Sequence, residues 1–168
     1  DFADRNDLKY SKLDFSFGKF GHRLVIVNTG KGHADLSQEY SEIPGEMKAA
    51  AKVLGVELLH ETTLDELLAH VNEIKDDRAI LRAIHFFNDN KRAQEEVKAL
   101  RNDDFELFKQ LVKKSGQSSY MYLQNVFATS MPKNQAVSLT LALCDEILGD
   151  KGAYRVHGGG FAGTVQAF

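Results

Sequence analysis

A chain of 168 residues with 43% hydrophobic and 27% charged side chains and only two prolines has the composition of one globular domain able to bury a substantial core. Its 21 Lys and Arg against 24 Asp and Glu leave a net charge of -3, which gives no electrostatic footprint for a nucleic acid or an anionic membrane. No apolar run approaches the roughly 18 to 20 residues that span a bilayer, "DFADRNDLKY" has no leader pattern, and the lone Cys144, in the apolar run "LTLALCDEIL", excludes an internal disulfide and suits a buried thiol in a reducing cytosol.

In chain order, "LDFSF" (13–17) alternates at period two, and "RLVIVN" (23–28) is continuously apolar at its centre, as a strand covered on both faces is. The two predict a hairpin across "GKFGH". "NTGKGHADLSQEY" (28–40) is polar and glycine-bearing, a loop of a length more often functional than connective. Ile43, Met47, Ala50, Ala51 and Leu54 then recur at helical spacing, with Pro44 expected in the first turn and Gly55 as the stop.

Thr63 and Glu66 form a capping-box signature for Leu64, Leu67, Leu68 and Val71, and a longer helical pattern runs over about 76–100. Its stripe Ile80, Ala83, Ile84, Phe87 breaks at "NDNKR" (88–92) and resumes at Val97 and Leu100 on a rotated face. Ordinary helix logic makes the break a solvated stretch rather than a polar cluster. Asp103 and Glu106 are placed to cap a helix carrying Phe105, Phe108, Leu111 and Val112, and "SGQSSYMYLQNVF" supplies a Ser-rich start for a short one. Asn134 opens a helix that is apolar almost all round up to Gly149 and is expected to be buried. Strands are predicted near 153–156 and 163–168, joined by a glycine-rich loop.

The six histidines stand ten or more residues apart, which argues against a metal site built from them, and no phosphate loop, nucleophile elbow or dinucleotide fingerprint occurs. Two features remain. In "HGGGFAG" each glycine removes a Cβ, so that backbone N–H groups can converge on an anion; a tight hairpin or a close helix contact would use the same residues. In "HADLSQEY" Tyr40 can present its hydroxyl to a polar ligand or pack half-buried.

Taken in order, these stretches resemble the C-terminal half of the galactokinases, in the GHMP small-molecule kinase family. The resemblance is carried by Asn28, Thr29, His33, Leu36, Glu39 and Tyr40, by Arg82, His85, Arg92, Phe108 and Ser115, and by Gly158, Gly159, Gly160, Phe161, Ala162 and Gly163 as the third family signature. It spans essentially all 168 residues. Two positions depart from the pattern: Asp89 stands where the family has a glutamate, and Gly116 where it commonly has a histidine.

The resemblance implies one α+β domain over residues 1–168, a GHMP kinase C-terminal domain with a ferredoxin-like antiparallel sheet backed by helices. It implies an N-terminal half, with the sugar signature, the ATP loop, the catalytic aspartate and the Mg²⁺ ligands, lying before Asp1, so that these residues are a piece of a longer cytoplasmic enzyme, hold no catalytic residue and are inactive alone. The implied reaction moves the γ-phosphoryl group of ATP to the C1 hydroxyl of α-D-galactose, mainly by positioning and electrostatics. In that reading Tyr40 contacts the sugar, His33 and Glu39 hold its loop, and Gly158, Gly159, Gly160, Phe161 and Gly163 shape the phosphate cleft. Two other readings stay open: another GHMP sugar kinase, such as one acting on N-acetylgalactosamine, or a sensor that binds sugar and ATP without turnover.

Overall fold

The computed structural model describes residues 10, 12–30, 32 and 36–168. Strand β1 (Val25–Asn28) leads to helix α1 (Ser37–Val53), the short α2 (Leu64–Ala69), the long α3 (Asp77–Arg101), α4 (Phe105–Ser118), a π-helical turn (Ser119–Leu123), α5 (Ala136–Leu148) and the hairpin β2 (Tyr154–His157) and β3 (Thr164–Ala167). The sheet is antiparallel in the order β1-β3-β2, so the last strand of the chain lies between the first and the second. Val27 faces Val165, which faces Val156, and Asn28 faces Thr164, which faces His157.

Local chemistry sets the helix starts. The Thr63 side chain accepts from Glu66 N at 3.2 Å and opens α2. Asp76 accepts from the N–H groups of Arg78 and Ala79 at the head of α3. At α4 the cap is Asp104, accepting from Leu107 N at 3.0 Å, one residue after the expected Asp103, which takes a left-handed φ of 56°. The start of α1 is earlier than expected: the helix begins at Ser37, so that Pro44 lies inside it rather than in its first turn and costs one rung of the ladder. The Ser-rich stretch after Lys114 does not open a new helix but continues α4 into the π turn.

Three expectations fail for one shared reason, that periodicity reports apolarity without saying what covers it. Residues 13–17 form no strand and no hairpin with β1, which pairs with β3 instead. Their phenylalanines stack on α4: Phe15, Phe17 and Phe20 gather round Phe105 at centroid distances of 5.1 to 6.3 Å. The centre of β1 is not covered on both faces, since Val25 and Ile26 are each about half exposed. Helix α5 buries Val137 against Val126, Val156 and Val165, but its other face carries Leu139, Leu143 and Ile147, which are 62%, 51% and 77% exposed.

The stretch 88–92 is corrected in part: Asn90 and Lys91 are exposed, as expected, but Asn88, Asp89 and Arg92 are half-buried. Asp89 accepts from Ser115 Oγ at 2.7 Å and Arg92 Nε at 2.9 Å, and Arg155 Nη1 of β2 donates to Ser115 Oγ at 2.6 Å. His85, one turn earlier, has Nδ1 2.9 Å from Ser118 Oγ and Nε2 3.6 Å from Asp89. His85, Asp89, Arg92 and Ser115 thus line the seam of α3 with α4 and β2, while Arg82 reaches the π turn at Leu123 O and Glu46 of α1, and all five have a structural task. Among the described residues no helix is long and apolar enough to cross a membrane.

Candidate functional site

Two sheet strands and the head of α1 bring the separated sequence features to one place. At the end of β1, Asn28 pairs with Thr164, Thr29 N donates to Gly163 O at 2.8 Å, and the Asn28 side chain accepts from Gly30 N at 2.9 Å. The described chain resumes with the buried Leu36, which packs with Ala128, Phe161 and Ala162 and seats the first turn of α1 on the glycine loop. Tyr40, in that turn, stands edge-on to Phe161 at 5.3 Å between centroids, and its hydroxyl donates to Gly160 O at 2.8 Å across 120 positions of sequence. Burial raises the Tyr40 pKa, so the phenol keeps the proton that it donates. Tyr40 therefore sits inside a helix, not at the end of a loop, and both packs and presents a hydroxyl.

Beside it, Glu39 is buried and its Oε1 accepts from Ser130 N and Oγ, at 3.2 and 2.6 Å, which ties α1 to the segment before α5. His33, expected to help hold this loop, lies outside the described residues.

The glycines of the β2–β3 connection have different reasons to be there. Gly158, Gly160 and Gly163 take φ values of 71°, 85° and 88°, where a Cβ is strained, and Phe161 itself is left-handed at 57°. Gly159 has an ordinary φ, and its constraint is contact: a Cβ there would stand 2.6 Å from Cε1 of Tyr40. Gly160 is wedged against Asn125, whose Nδ2 would be 2.6 Å from an added Cβ. Phe161 and Gly160 are buried, whereas Gly158 and Gly159 present their backbone outward. The loop is thus a tight turn and a close-approach site at once, and within the chain the closest visitors are Tyr40 and Asn125.

Asn125 is the member that sequence reading missed. It lies in "YMYLQNVF", which carries no motif; only the π turn before it and the left-handed Gln124 aim it at the loop. A cavity of about 80 Å³ adjoins Phe161, Ala162, Leu36 and Asn134, well below the roughly 300 Å³ of a small-molecule pocket. A ligand of sugar size would therefore meet this surface from outside. Among the described residues no group of three or more His, Cys, Asp or Glu could hold a metal ion. The arrangement offers hydrogen bonds, an aromatic wall and exposed glycine backbone, which is the chemistry of binding and orientation.

No protein-family model matches the chain. It is 27% identical over 147 residues to a galactokinase of Actinobacillus pleuropneumoniae serotype 5b (strain L20) and 27% identical over 146 residues to that of Haemophilus influenzae (strain ATCC 51907 / DSM 11121 / KW20 / Rd), in each case over 86% of this chain. The structure of Lactococcus lactis galactokinase complexed with galactose superposes on 86% of the chain with a TM-score of 0.68 and 26% identity. The chain spans 36% of the length of each of these three proteins. In sequence and in fold this stretch is galactokinase-like, and its α+β class, helices with a small antiparallel sheet, is shared with that solved structure.

Proposed function

We propose that this chain is the C-terminal domain of a GHMP-type galactokinase, whose intact form moves the γ-phosphoryl group of ATP to the C1 hydroxyl of galactose in the cytoplasm. The observation that carries the reading is the Tyr40–Gly160 hydrogen bond, which joins the residue expected to touch the sugar to the loop expected to border the phosphates. In this reading Tyr40, its proton directed to Gly160, meets a sugar hydroxyl as an acceptor. Gly158 and Gly159, outward and without Cβ atoms, border the nucleotide phosphates, while Gly160, Phe161 and Gly163 hold them in that position. Mg²⁺ would neutralise phosphate charge, its ligands and the catalytic aspartate lying in the N-terminal half with which this domain would form the cleft. Catalysis then consists largely of holding two substrates in line, and this domain supplies one wall.

Calorimetric titration with galactose of the full-length protein, this domain together with its N-terminal half, tests this. Tyr40→Phe is expected to weaken galactose by about 0.5 to 1.5 kcal/mol, the net worth of one neutral hydrogen bond, with ATP affinity little changed. Unchanged galactose affinity would make Tyr40 a packing residue only. Binding of N-acetylgalactosamine in preference to galactose, or binding of sugar and ATP with no ADP released, would replace the galactokinase reading by one of the other two.

A further inference from the structure

Asn125 fixes the middle of the glycine loop from the side opposite Tyr40. It is 3% exposed, and its Nδ2 donates to Gly159 O at 3.1 Å while its own carbonyl accepts from Phe161 N–H. The Phe161 N–H and the Gly160 carbonyl belong to the same planar peptide unit, whose two polar atoms point in opposite directions. One end of that unit is therefore held by Asn125 and the other by the Tyr40 hydroxyl together with the Ala162 N–H, which donates to Gly160 O at 2.7 Å. Rotation about the Gly160 bonds would swing both ends together, and the glycine on its N-terminal side makes that rotation easy unless the preceding peptide is also fixed. The Asn125 side chain fixes it, through Gly159 O. Its Oδ1 is buried without a partner among the described residues, a cost that an apolar residue of the same shape would not carry, so the donor is what the position requires.

We infer that Asn125 is a positioning residue for sugar binding: by clamping Gly159 it sets the plane of the Gly160–Phe161 peptide and thereby aims the Tyr40 hydroxyl, making the glycine loop and the sugar contact one unit. The inference rests on the proposed galactokinase reading for the identity of the ligand and on the loop geometry for the coupling. Hydrogen bonds in such a chain polarise one another, so a sugar hydroxyl donating to Tyr40 tightens the hold on Gly160.

The test is a double-mutant cycle in the full-length protein, with galactose affinity and the ¹⁹F resonance of 3-fluorotyrosine at position 40 as readouts. Asn125→Leu keeps the branched shape and removes the donor; it is expected to weaken galactose roughly fivefold in the wild-type background and less than about twofold in Tyr40→Phe, because its effect runs through the hydroxyl. The ¹⁹F resonance is expected to move in Asn125→Leu while the chain still melts cooperatively. Should that variant fail to fold, Asn125→Asp, which keeps the shape and also lacks the amide donor, takes its place. Equal losses in both backgrounds, or an unmoved resonance, would overturn the coupling. Absence of galactose binding to the wild-type full-length protein, N-terminal half included, would sink the galactokinase reading instead, and the resonance alone would then decide whether Asn125 aims Tyr40.

Discussion

His85 shows how much one buried side chain can report. Burial lowers its pKa, ahead of the opposing attraction of Asp89, with Arg92 and Arg155 adding to the lowering. A histidine whose folded pKa lies below its ordinary 6.5 binds fewer protons folded than unfolded, so it removes stability as pH falls through 6.5 toward the folded value. Replacing it should flatten that dependence: between pH 7.5 and the folded pKa, wild type is expected to lose unfolding free energy relative to His85→Gln, read from urea midpoints along a pH series. A constant difference between the two chains would show that His85 binds protons alike in the folded and unfolded states, so that burial does not lower its pKa. The position was visible in sequence only through a family pattern, because a histidine on a helical stripe says nothing about Ser118 or Asp89 until α4 is packed against α3. Gly159 makes the same point within the site. Its sequence neighbours suggest a turn glycine, yet its φ is ordinary and what excludes a side chain is the Tyr40 ring.

At the scale of elements, the signals that ride on local chemistry were legible. The Thr63 cap, the long α3 and the amphipathic α4 all lie where spacing and capping residues put them, since each depends on atoms within one or two turns. What joins the elements was not. Arg82, 1% exposed, reaches from α3 to Leu123 O at 3.2 Å and brings Nη1 within 2.8 Å of Glu46 Oε2 on α1, an ion contact without hydrogen-bond alignment; Glu46 also pairs with Arg78. Arg82→Ala strands a carboxylate and frees the turn leading to Asn125, and is expected to cost about 3 kcal/mol by denaturant titration. A loss under about 1 kcal/mol would mean that Glu46 is satisfied by Arg78 and solvent. Helix α5 gives the opposite contrast. Val137→Ala, on the sheet side, should cost about 2 kcal/mol, whereas Leu143→Lys, on the outward face, should change stability by less than about 0.5 kcal/mol. Thermal melting of the two variants side by side checks which face is the packed one.

Across the whole molecule, long-range closure is made by aromatic rings and by the central position of β3. Phe105 of α4 touches Phe15, Phe17, Phe20, His22 and Phe108, and Phe168 joins the same cluster through Phe17 and Phe108. Phe105→Ala is expected to cost about 3 to 5 kcal/mol, lowering the melting temperature by many degrees in one cooperative step. A small early transition, with the main one unmoved, would show that residues 13–22 come away without the rest. The sequence by itself determined that the five α-helices exist, the Thr63 cap, the two C-terminal strands and the glycine turn, because hydrophobic period and capping chemistry act over a few residues. It also carried, by resemblance, the likeness to galactokinases, because a motif is a local string. The tertiary structure alone decided that β1 pairs with the end of the chain, that one side of α5 is left bare, that Asp89 and Arg92 of "NDNKR" join a half-buried network, and that Asn125 and Tyr40 grip one peptide between them. Each of those depends on groups far apart in the chain, and their meeting is fixed by the closure of the sheet and the packing of α1 and α3, not by any spacing along the sequence.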